Sequence, residues 1–194
     1  MRDWKKYVDQ YEPSASFKDE VAAVRACQLA AVAADLGTSA VGAVLLDNKG
    51  QVLAEGHNRT FVDSFRSDLH AEMVVLTKFE TGHQKNQNPG NLTLISSLEP
   101  CPMCMARLIY SGIGSIRYIC EDPLGGMVTR MSSLPPTLQK ICEDLSQVWG
   151  LAECSDELRE AALQIWEQCR EDVDRRIVER GKGGTSDTRL CSQT

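Results

Sequence analysis

Apolar residues first recur along the chain at a spacing typical of a helix. The stretch Val21–Leu36 is rich in alanine and repeats apolar residues at helical intervals. Ser16 is a suitable N-cap, with an acidic residue three positions later, and Gly37 is a natural stop. We therefore expect a helix over residues 16–36.

The next apolar runs are shorter and predict strands. Ala40–Asp47 is rich in β-branched residues, and Gln51–Gly56 follows it after the turn residues Asn48-Lys49-Gly50. This close spacing predicts an antiparallel hairpin. The polar stretch Thr60–Asp68 then predicts a loop.

The middle of the chain alternates between helical and strand-like patterns. Helical periodicity over His70–Glu80 is followed by a polar segment, Thr81–Asn91, that contains Pro and Gly. Leu92–Ser97 predicts a strand, Cys101–Ser111 a helix, and Ile116–Cys120 another strand. A strand, a helix and a strand in this order predict a parallel βαβ unit with a right-handed crossover.

The pattern weakens after residue 120. Glu121–Pro136 predicts a loop, Thr137–Leu145 a short helix, and Val148–Cys154 a fifth strand. Asp156–Arg180 is a long amphipathic stretch that predicts a final helix. We interpret Trp166, in its apolar stripe, as a core residue or a dimer contact.

Together these elements predict an α/β fold. We expect a three-layer α/β/α sandwich around a five-stranded mixed, mainly parallel sheet. The 194 residues, 42% of them hydrophobic and 25% charged, are ordinary for one globular domain, which we place at 1–180. The Gly- and Ser-rich residues 181–194 are expected to be a disordered tail.

Charge and hydropathy narrow the function classes. The net charge of −6 disfavours tight, non-specific binding of nucleic acid, which needs clustered Lys and Arg. No segment approaches the roughly 18 apolar residues that span a bilayer, and we see no signal-peptide pattern. We therefore expect a cytoplasmic protein without a membrane partner. Of its eight cysteines only two are close together in sequence, so we interpret the other six as reduced thiols.

Two short stretches carry chemistry: Leu69-His70-Ala71-Glu72, and Glu99-Pro100-Cys101-Pro102-Met103-Cys104. They contain one imidazole, two thiols and a free carboxylate. Catalytic zinc sites use three protein ligands and leave the fourth position to water, so these are the parts of such a site. Each motif alone is weak, because a C-x-x-C pair also fits a redox site or half of a structural zinc finger.

The predicted elements strengthen the interpretation of both motifs. Cys101 and Cys104 are three residues apart at a helix start, so their sulfurs share one face. Pro100 suits this position, because its missing N–H costs nothing there. The positive helix end favours the thiolates that a metal requires. His70 opens its own helix, and two helix N-termini are thus expected to meet at the carboxyl edge of the sheet.

The motifs H-x-E and P-C-x-x-C together resemble those of the cytidine-deaminase-like superfamily of zinc enzymes. Val41–Leu46 and Glu55–Arg59 are similar to the first hairpin of that superfamily, closest to its nucleobase and tRNA-adenosine branches. The resemblance covers about residues 16–125. It implies a hydrolytic deaminase that holds one Zn²⁺ per chain through three ligands: His70, Cys101 and Cys104. It also implies that Glu72 is the catalytic proton shuttle, beside a metal that lowers the pKa of water from about 15.7 towards about 7.

The same resemblance implies where the substrate binds. Asn58 corresponds to a residue whose amide bonds the base, and Ser97 and Glu99 correspond to residues whose backbone groups meet the substrate amine. The full set of implied substrate contacts is Gly42, Ala43, Asn58, Ala71, Ser97, Glu99 and Pro100.

Several alternatives stay open from the sequence. The acidic charge and the long segment after Cys120 favour a small nucleobase or nucleoside as substrate, with a tRNA adenosine as the alternative. The resemblance also implies a homodimer. A different class of function is a structural zinc or redox module, which needs a fourth ligand such as His57, His83 or Cys120.

Overall fold

The computed structural model describes residues 2–82 and 87–183. The helices are α1 (Trp4–Asp9), α2 (Glu20–Asp35), α3 (Ala71–Gly82), α4 (Pro102–Ser111), α5 (Pro136–Asp144) and α6 (Asp156–Gly181). The strands are β1 (Gly42–Leu46), β2 (Val52–His57), β3 (Thr93–Leu98), β4 (Ser115–Cys120) and β5 (Val148–Leu151). Short 3₁₀ helices cover Pro89–Asn91 and Val128–Ser133.

Within the described residues the strands form one five-stranded sheet in the order β2-β1-β3-β4-β5. β1 runs antiparallel to both of its neighbours, β2 and β3. β3, β4 and β5 run parallel to one another. The predicted hairpin, the βαβ unit and the mixed α/β sheet are therefore confirmed.

Two glycines show that helices cover both faces of this sheet. A Cβ atom on Gly42 would lie 2.3 Å from the carbonyl oxygen of Ala26 in α2. A Cβ on Gly56 would lie 2.8 Å from Cγ1 of Val74 in α3. Gly42 pairs with His57, so it lies on the opposite face from Gly56, because neighbouring strand residues point to opposite faces. The sheet is thus the middle of three layers, as predicted.

The remaining helices pack beside these two. α6 lies next to α2, where Cys27 Sγ is 4.0 Å from the carbonyl oxygen of Leu158. It also contacts β4, because the Arg159 guanidinium donates to the carbonyl of Ile119 at 2.9 Å. α4 lies next to α3, since Arg107 donates to Thr77 Oγ1 at 3.1 Å.

Two predicted boundaries are wrong, and one hydrogen-bond network explains both. α2 begins at Glu20 rather than Ser16, and β5 ends at Leu151 rather than Cys154. The Asp19 carboxylate accepts from the Glu153 backbone N–H at 2.8 Å, and Glu20 accepts from the N–H of Ser155 at 2.8 Å. These long-range bonds hold 152–155 against the start of α2, so the chain leaves the sheet early. The hydrophobic pattern of neighbouring residues cannot predict these long-range hydrogen bonds.

The end of the chain is described only in part. α6 continues to Gly181, and the rest of the predicted disordered tail, from residue 184, lies outside the described residues. None of the described helices has the length and apolar character needed to cross a bilayer.

Candidate active site

The site lies where α3 and α4 begin, at the carboxyl end of β3. β3 ends at Leu98, and Cys101 is the N-cap residue of α4, with Pro102 at the first helical position. Proline is favoured there because its fixed φ suits the helix and the missing N–H would be unpaired anyway. The expectation that Pro100 fills this position is wrong, because the helix begins two residues later and Pro100 precedes the N-cap. His70 immediately precedes α3. The predicted meeting of two helix N-termini is confirmed.

The ligand atoms have the spacing that zinc requires. His70 Nδ1 lies 3.7 Å from Cys101 Sγ and 3.6 Å from Cys104 Sγ. Tetrahedral zinc, with bonds of about 2.05 Å to nitrogen and about 2.3 Å to sulfur, places these atoms about 3.6 Å apart. The imidazole and the two sulfurs therefore fit one zinc ion, with Nδ1 as the histidine ligand atom.

No fourth ligand joins this group among residues 2–82 and 87–183. The Nδ1 atom of His57 is 2.8 Å from the carbonyl oxygen of its neighbour Asn58. Cys120 Sγ is 3.2 Å from the carbonyl oxygen of Ser97. His83 lies outside the described residues. Within the described residues the group thus has the three-ligand form of a catalytic centre rather than the closed form of a structural one.

Glu72 lies beside the ligands without joining them. Its side chain is buried, and Oε2 is 3.4 Å from Cys104 Sγ. Burial raises the pKa of the Glu72 carboxyl above its ordinary value, and the charge of the Cys101 sulfur raises it further. The pKa of the Cys101 thiol falls to about 4, chiefly because Cys104 hydrogen-bonds to it. The same hydrogen bond raises the pKa of the Cys104 thiol, so the pair shares one proton, which a bound metal would displace.

A cavity of about 350 Å³ opens onto this group. Five of the predicted site residues line it: Asn58, His70, Glu72, Glu99 and Cys101. The others that line it are Ser39, Val41, Leu98, Asp122, Leu124, Gly125, Trp166, Arg170, Val173 and Asp174. The structure therefore brings the predicted metal and proton-transfer groups together with Asn58.

Other predicted substrate contacts lie near the cavity but do not line it. Gly42 and Ser97 bond to each other, the N–H of Gly42 donating to Ser97 Oγ at 3.1 Å. The bond ties β1 to β3 close to the metal group. The residues in this category are Gly42, Ala43, Ala71, Ser97 and Pro100, whose contact with substrate stays a prediction.

The Glu99 side chain supports one wall of the cavity. Its carboxylate is buried and accepts from the backbone N–H groups of Asp122 at 3.1 Å and Thr129 at 2.9 Å. It also accepts from Thr129 Oγ1 at 3.2 Å. These bonds fix the segment after β4, which contributes Asp122, Leu124 and Gly125 to the lining.

Sequence reasoning missed the wall that α6 provides. Trp166, Arg170, Val173 and Asp174 follow one another at helical spacing and all line the cavity. The apolar stripe indicated that Trp166 would be buried, which it is. It did not indicate which other element the stripe would face.

The end of α6 is braced against the loop before His70. The Arg176 guanidinium lies 4.0 Å from the centre of the Phe61 ring, and that of Arg180 lies 3.9 Å from the centre of the Phe65 ring. Arg176 also donates to the carbonyl of Gly37. Each such cation–π contact contributes roughly 0.5 to 2 kcal/mol. We call these two stacked pairs the arginine–phenylalanine brace.

Comparison with known proteins agrees with this geometry. Residues 17–120, more than half of the chain, match the family model described as the cytidine and deoxycytidylate deaminase zinc-binding region. The tRNA-specific adenosine deaminase of Bacillus subtilis is 34% identical over 109 residues, which are 56% of this chain and 66% of that protein. The chain spans less than two thirds of that relative, and only 18% of the tRNA(Ile)-lysidine synthase of Deinococcus radiodurans.

Solved structures show the same fold. One, from a study of A-to-I editing by tRNA:A34 deaminases, superposes with a TM-score of 0.58 at 28% identity, covering 72% of this chain and 94% of that one. The guanine deaminase of Nitrosomonas europaea superposes with a TM-score of 0.58 at 17% identity, covering 87% and 93%, and supports the fold alone. The chain therefore belongs to the cytidine and deoxycytidylate deaminase family, and residues 17–120 contain its zinc-binding region.

Proposed function

We propose that the protein is a zinc-dependent hydrolase that removes an amino group from a nucleobase or nucleoside and releases ammonia. One observation carries the proposal: three metal ligands with an open fourth side adjoin the buried carboxylate of Glu72 in a cavity. Relatives of this chain that are called tRNA-specific adenosine deaminases support the same reaction class.

The chain's own groups divide the work of this reaction. His70, Cys101 and Cys104 hold the zinc, which when bound supplies Lewis acidity that makes water a nucleophile near pH 7. Glu72 accepts the proton of the attacking water and passes it to the ring nitrogen, and then assists the departure of ammonia. Water and the amine thus become a carbonyl group and ammonia. Because Glu72 is not a ligand, its carboxylate remains free to carry protons.

Cavity size and charge favour a small substrate. A volume of about 350 Å³ is at the lower end of the range for small-molecule sites, about 300 to 1,000 Å³. Four acidic side chains line it: Glu72, Glu99, Asp122 and Asp174. Arg170 is the single guanidinium among the described lining residues. Such a wall does not attract the phosphates of an RNA.

A tRNA adenosine is the second candidate substrate. It is favoured by the names of relatives that share 34% and 35% identity with this chain, the tRNA-specific adenosine deaminases of Bacillus subtilis and Haemophilus influenzae. Those matches cover 56% and 53% of this chain, so they leave much of it unmatched.

The test is ammonia release from a panel of free bases, nucleosides, 5′-monophosphates and a tRNA anticodon hairpin. Glu72→Ala should keep zinc and fold while activity falls by about 10²- to 10⁴-fold, the usual worth of a general acid–base group. Glu143→Ala, which removes an exposed carboxylate from α5 and lies outside the cavity lining, is the control. Unchanged turnover in a folded, zinc-loaded Glu72→Ala protein would refute the proposed deaminase activity of this site.

Two further properties are proposed on the family resemblance and the sequence. One is a homodimer, which α4 supports by exposing Met103 and Tyr110. The other is a cytoplasmic location, which fractionation of cells that express the tagged protein would test.

A further inference from the structure

The orientation of the Asn58 side-chain amide is fixed by its neighbours. Asn58 Oδ1 lies 2.9 Å from the backbone nitrogen of Thr60 and 2.6 Å from Thr38 Oγ1. A backbone N–H can only donate, so the atom that faces Thr60 is an acceptor. This contact therefore identifies which end of the amide is the oxygen and which is the nitrogen.

The amide nitrogen is consequently the group that remains for a ligand. Asn58 lines the cavity beside Glu72, although it is only 2% exposed. Nδ2 makes no hydrogen bond to any described residue. It is also not completely buried, unlike the polar side-chain atoms that lack a partner because the protein encloses them. Nδ2 therefore remains accessible from the cavity and offers only hydrogen-bond donors to it.

Thr38 supplies the second contact that holds this orientation. The residue is fully buried after the end of α2, where its backbone N–H donates to the carbonyl of Ala33 at 3.2 Å. Since Oδ1 can only accept, the Thr38 hydroxyl must be the donor in the 2.6 Å bond. Thr38 does not line the cavity, so a substitution of Thr38 would alter substrate binding through the position of Asn58.

We propose that Thr38 is a positioning residue that locks the Asn58 amide with its NH₂ group towards the cavity, so that a substrate must present a hydrogen-bond acceptor to this wall. A ring nitrogen or a carbonyl oxygen of a base meets that requirement, and a ring N–H or an exocyclic amine does not. The inference rests on the proposed function, because it takes a base as the occupant.

The first test compares two variants of Thr38. Thr38→Val keeps the shape of the side chain but removes the donor, and it should raise KM about tenfold while kcat changes less than about threefold. Thr38→Ser keeps the hydroxyl and should restore the KM of the wild type. Melting of both variants, followed by circular dichroism, separates this effect from loss of fold. A purely structural role of Thr38 would lower the melting temperature and kcat, without a selective rise in KM.

The second test inverts the polarity of the wall. Asn58→Asp has the same shape and still accepts from Thr38 and Thr60, but it presents an acceptor where the NH₂ was. We expect affinity for adenosine, guanosine, cytidine and their free bases to fall at least 100-fold, because a site built to donate is left facing an acceptor. Calorimetric binding in the Glu72→Ala background gives dissociation constants without turnover.

The outcomes separate the two proposals. Ammonia release by the wild type, with unchanged KM in Thr38→Val or unchanged binding in Asn58→Asp, would overturn the lock and leave the proposed function intact. Binding that follows the expected pattern without ammonia release would support the lock and refute the hydrolase. Failure of the zinc-loaded protein to bind any of these bases or nucleosides would overturn both.

Discussion

At the scale of single residues, the charge at the cavity mouth is set by two side chains one turn apart on α6. Arg170 lies 5.5 Å from the centre of the Trp166 ring and 4.0 Å from the carboxylate of Glu171. Asp174 lines the cavity and makes no ion pair with another described side chain. The acid therefore faces an approaching ligand, while the positive charge of Arg170 is partly offset by Glu171.

Asp174→Lys should shift preference towards phosphorylated substrates. Reversing one exposed charge near a phosphate changes their interaction by roughly 1 to 2 kcal/mol, so kcat/KM for 5′-monophosphates relative to nucleosides should rise about tenfold. Glu160→Lys makes the same charge change at an exposed position of the same helix but does not line the cavity. If both variants shift the ratio equally, net charge rather than Asp174 governs selection.

The metal group was predictable at this scale, and the α6 wall was not. His70, Cys101 and Cys104 are recognisable because zinc accepts few side-chain types, and helix starts fix where they stand. In the sequence, Asp174 is indistinguishable from any other surface acid, and only the packing of α6 places it at the cavity. Its role depends on tertiary contacts between positions about a hundred residues apart, which no local pattern encodes.

At the scale of elements, Gly42 marks a close approach between β1 and α2. A Cβ on Gly42 would lie 2.3 Å from the Ala26 carbonyl oxygen and 2.5 Å from Leu29 Cβ. The first of these is a backbone atom of a helix, which cannot move aside without shifting the helix. Gly42 therefore sets how closely α2 can lie on the sheet.

Gly42→Ala should destabilise the fold by about 3 kcal/mol, as overpacking of a close backbone contact does. Equilibrium urea denaturation measures the change in the free energy of unfolding. Gly82→Ala is the control, because a Cβ there meets nothing within 4 Å and α3 ends at that residue. A loss below about 0.5 kcal/mol at Gly42 would show that α2 moves to make room.

Element types were more predictable than element ends. Periodicity identified every strand of the described sheet, because burial imposes the same spacing wherever a strand lies. The start of α2 was wrong because Ser16 looked like a local cap. The bonds of Asp19 and Glu20 to the chain at 153–155 select the later start instead.

At the scale of the whole molecule, the metal group joins two helices that are distant in sequence. His70 precedes α3, while Cys101 and Cys104 begin α4. A bound ion therefore stabilises the native arrangement, by about 4 kcal/mol when its concentration is 1,000 times its dissociation constant.

Removing zinc should consequently lower the melting temperature by several degrees. Differential scanning calorimetry of zinc-loaded and chelator-treated protein measures the shift, and added zinc should reverse it. Magnesium is the control, because thiolates and imidazole do not suit it. An unchanged melting temperature after confirmed loss of zinc would contradict a structural contribution of the ion.

The proposed dimer is a second property of the whole molecule. Met103 and Tyr110 are seven residues apart on α4, so they share one face, and they are 41% and 64% exposed. Light scattering should give about twice the chain mass of 21.4 kDa, and Tyr110→Asp should reduce the dimer fraction if this face is the interface. A mass of 21.4 kDa at every concentration would refute the dimer.

The arginine–phenylalanine brace has a consequence for redesign of this protein. The loop that carries Phe61 and Phe65 contacts the end of the helix that carries Arg176 and Arg180 through both of these pairs. A chimera that takes only the loop from a relative leaves two cations without rings, and one that takes only the helix leaves two rings uncovered. The loop and the helix end are therefore packed as a pair, and successful transplants should exchange both segments at once.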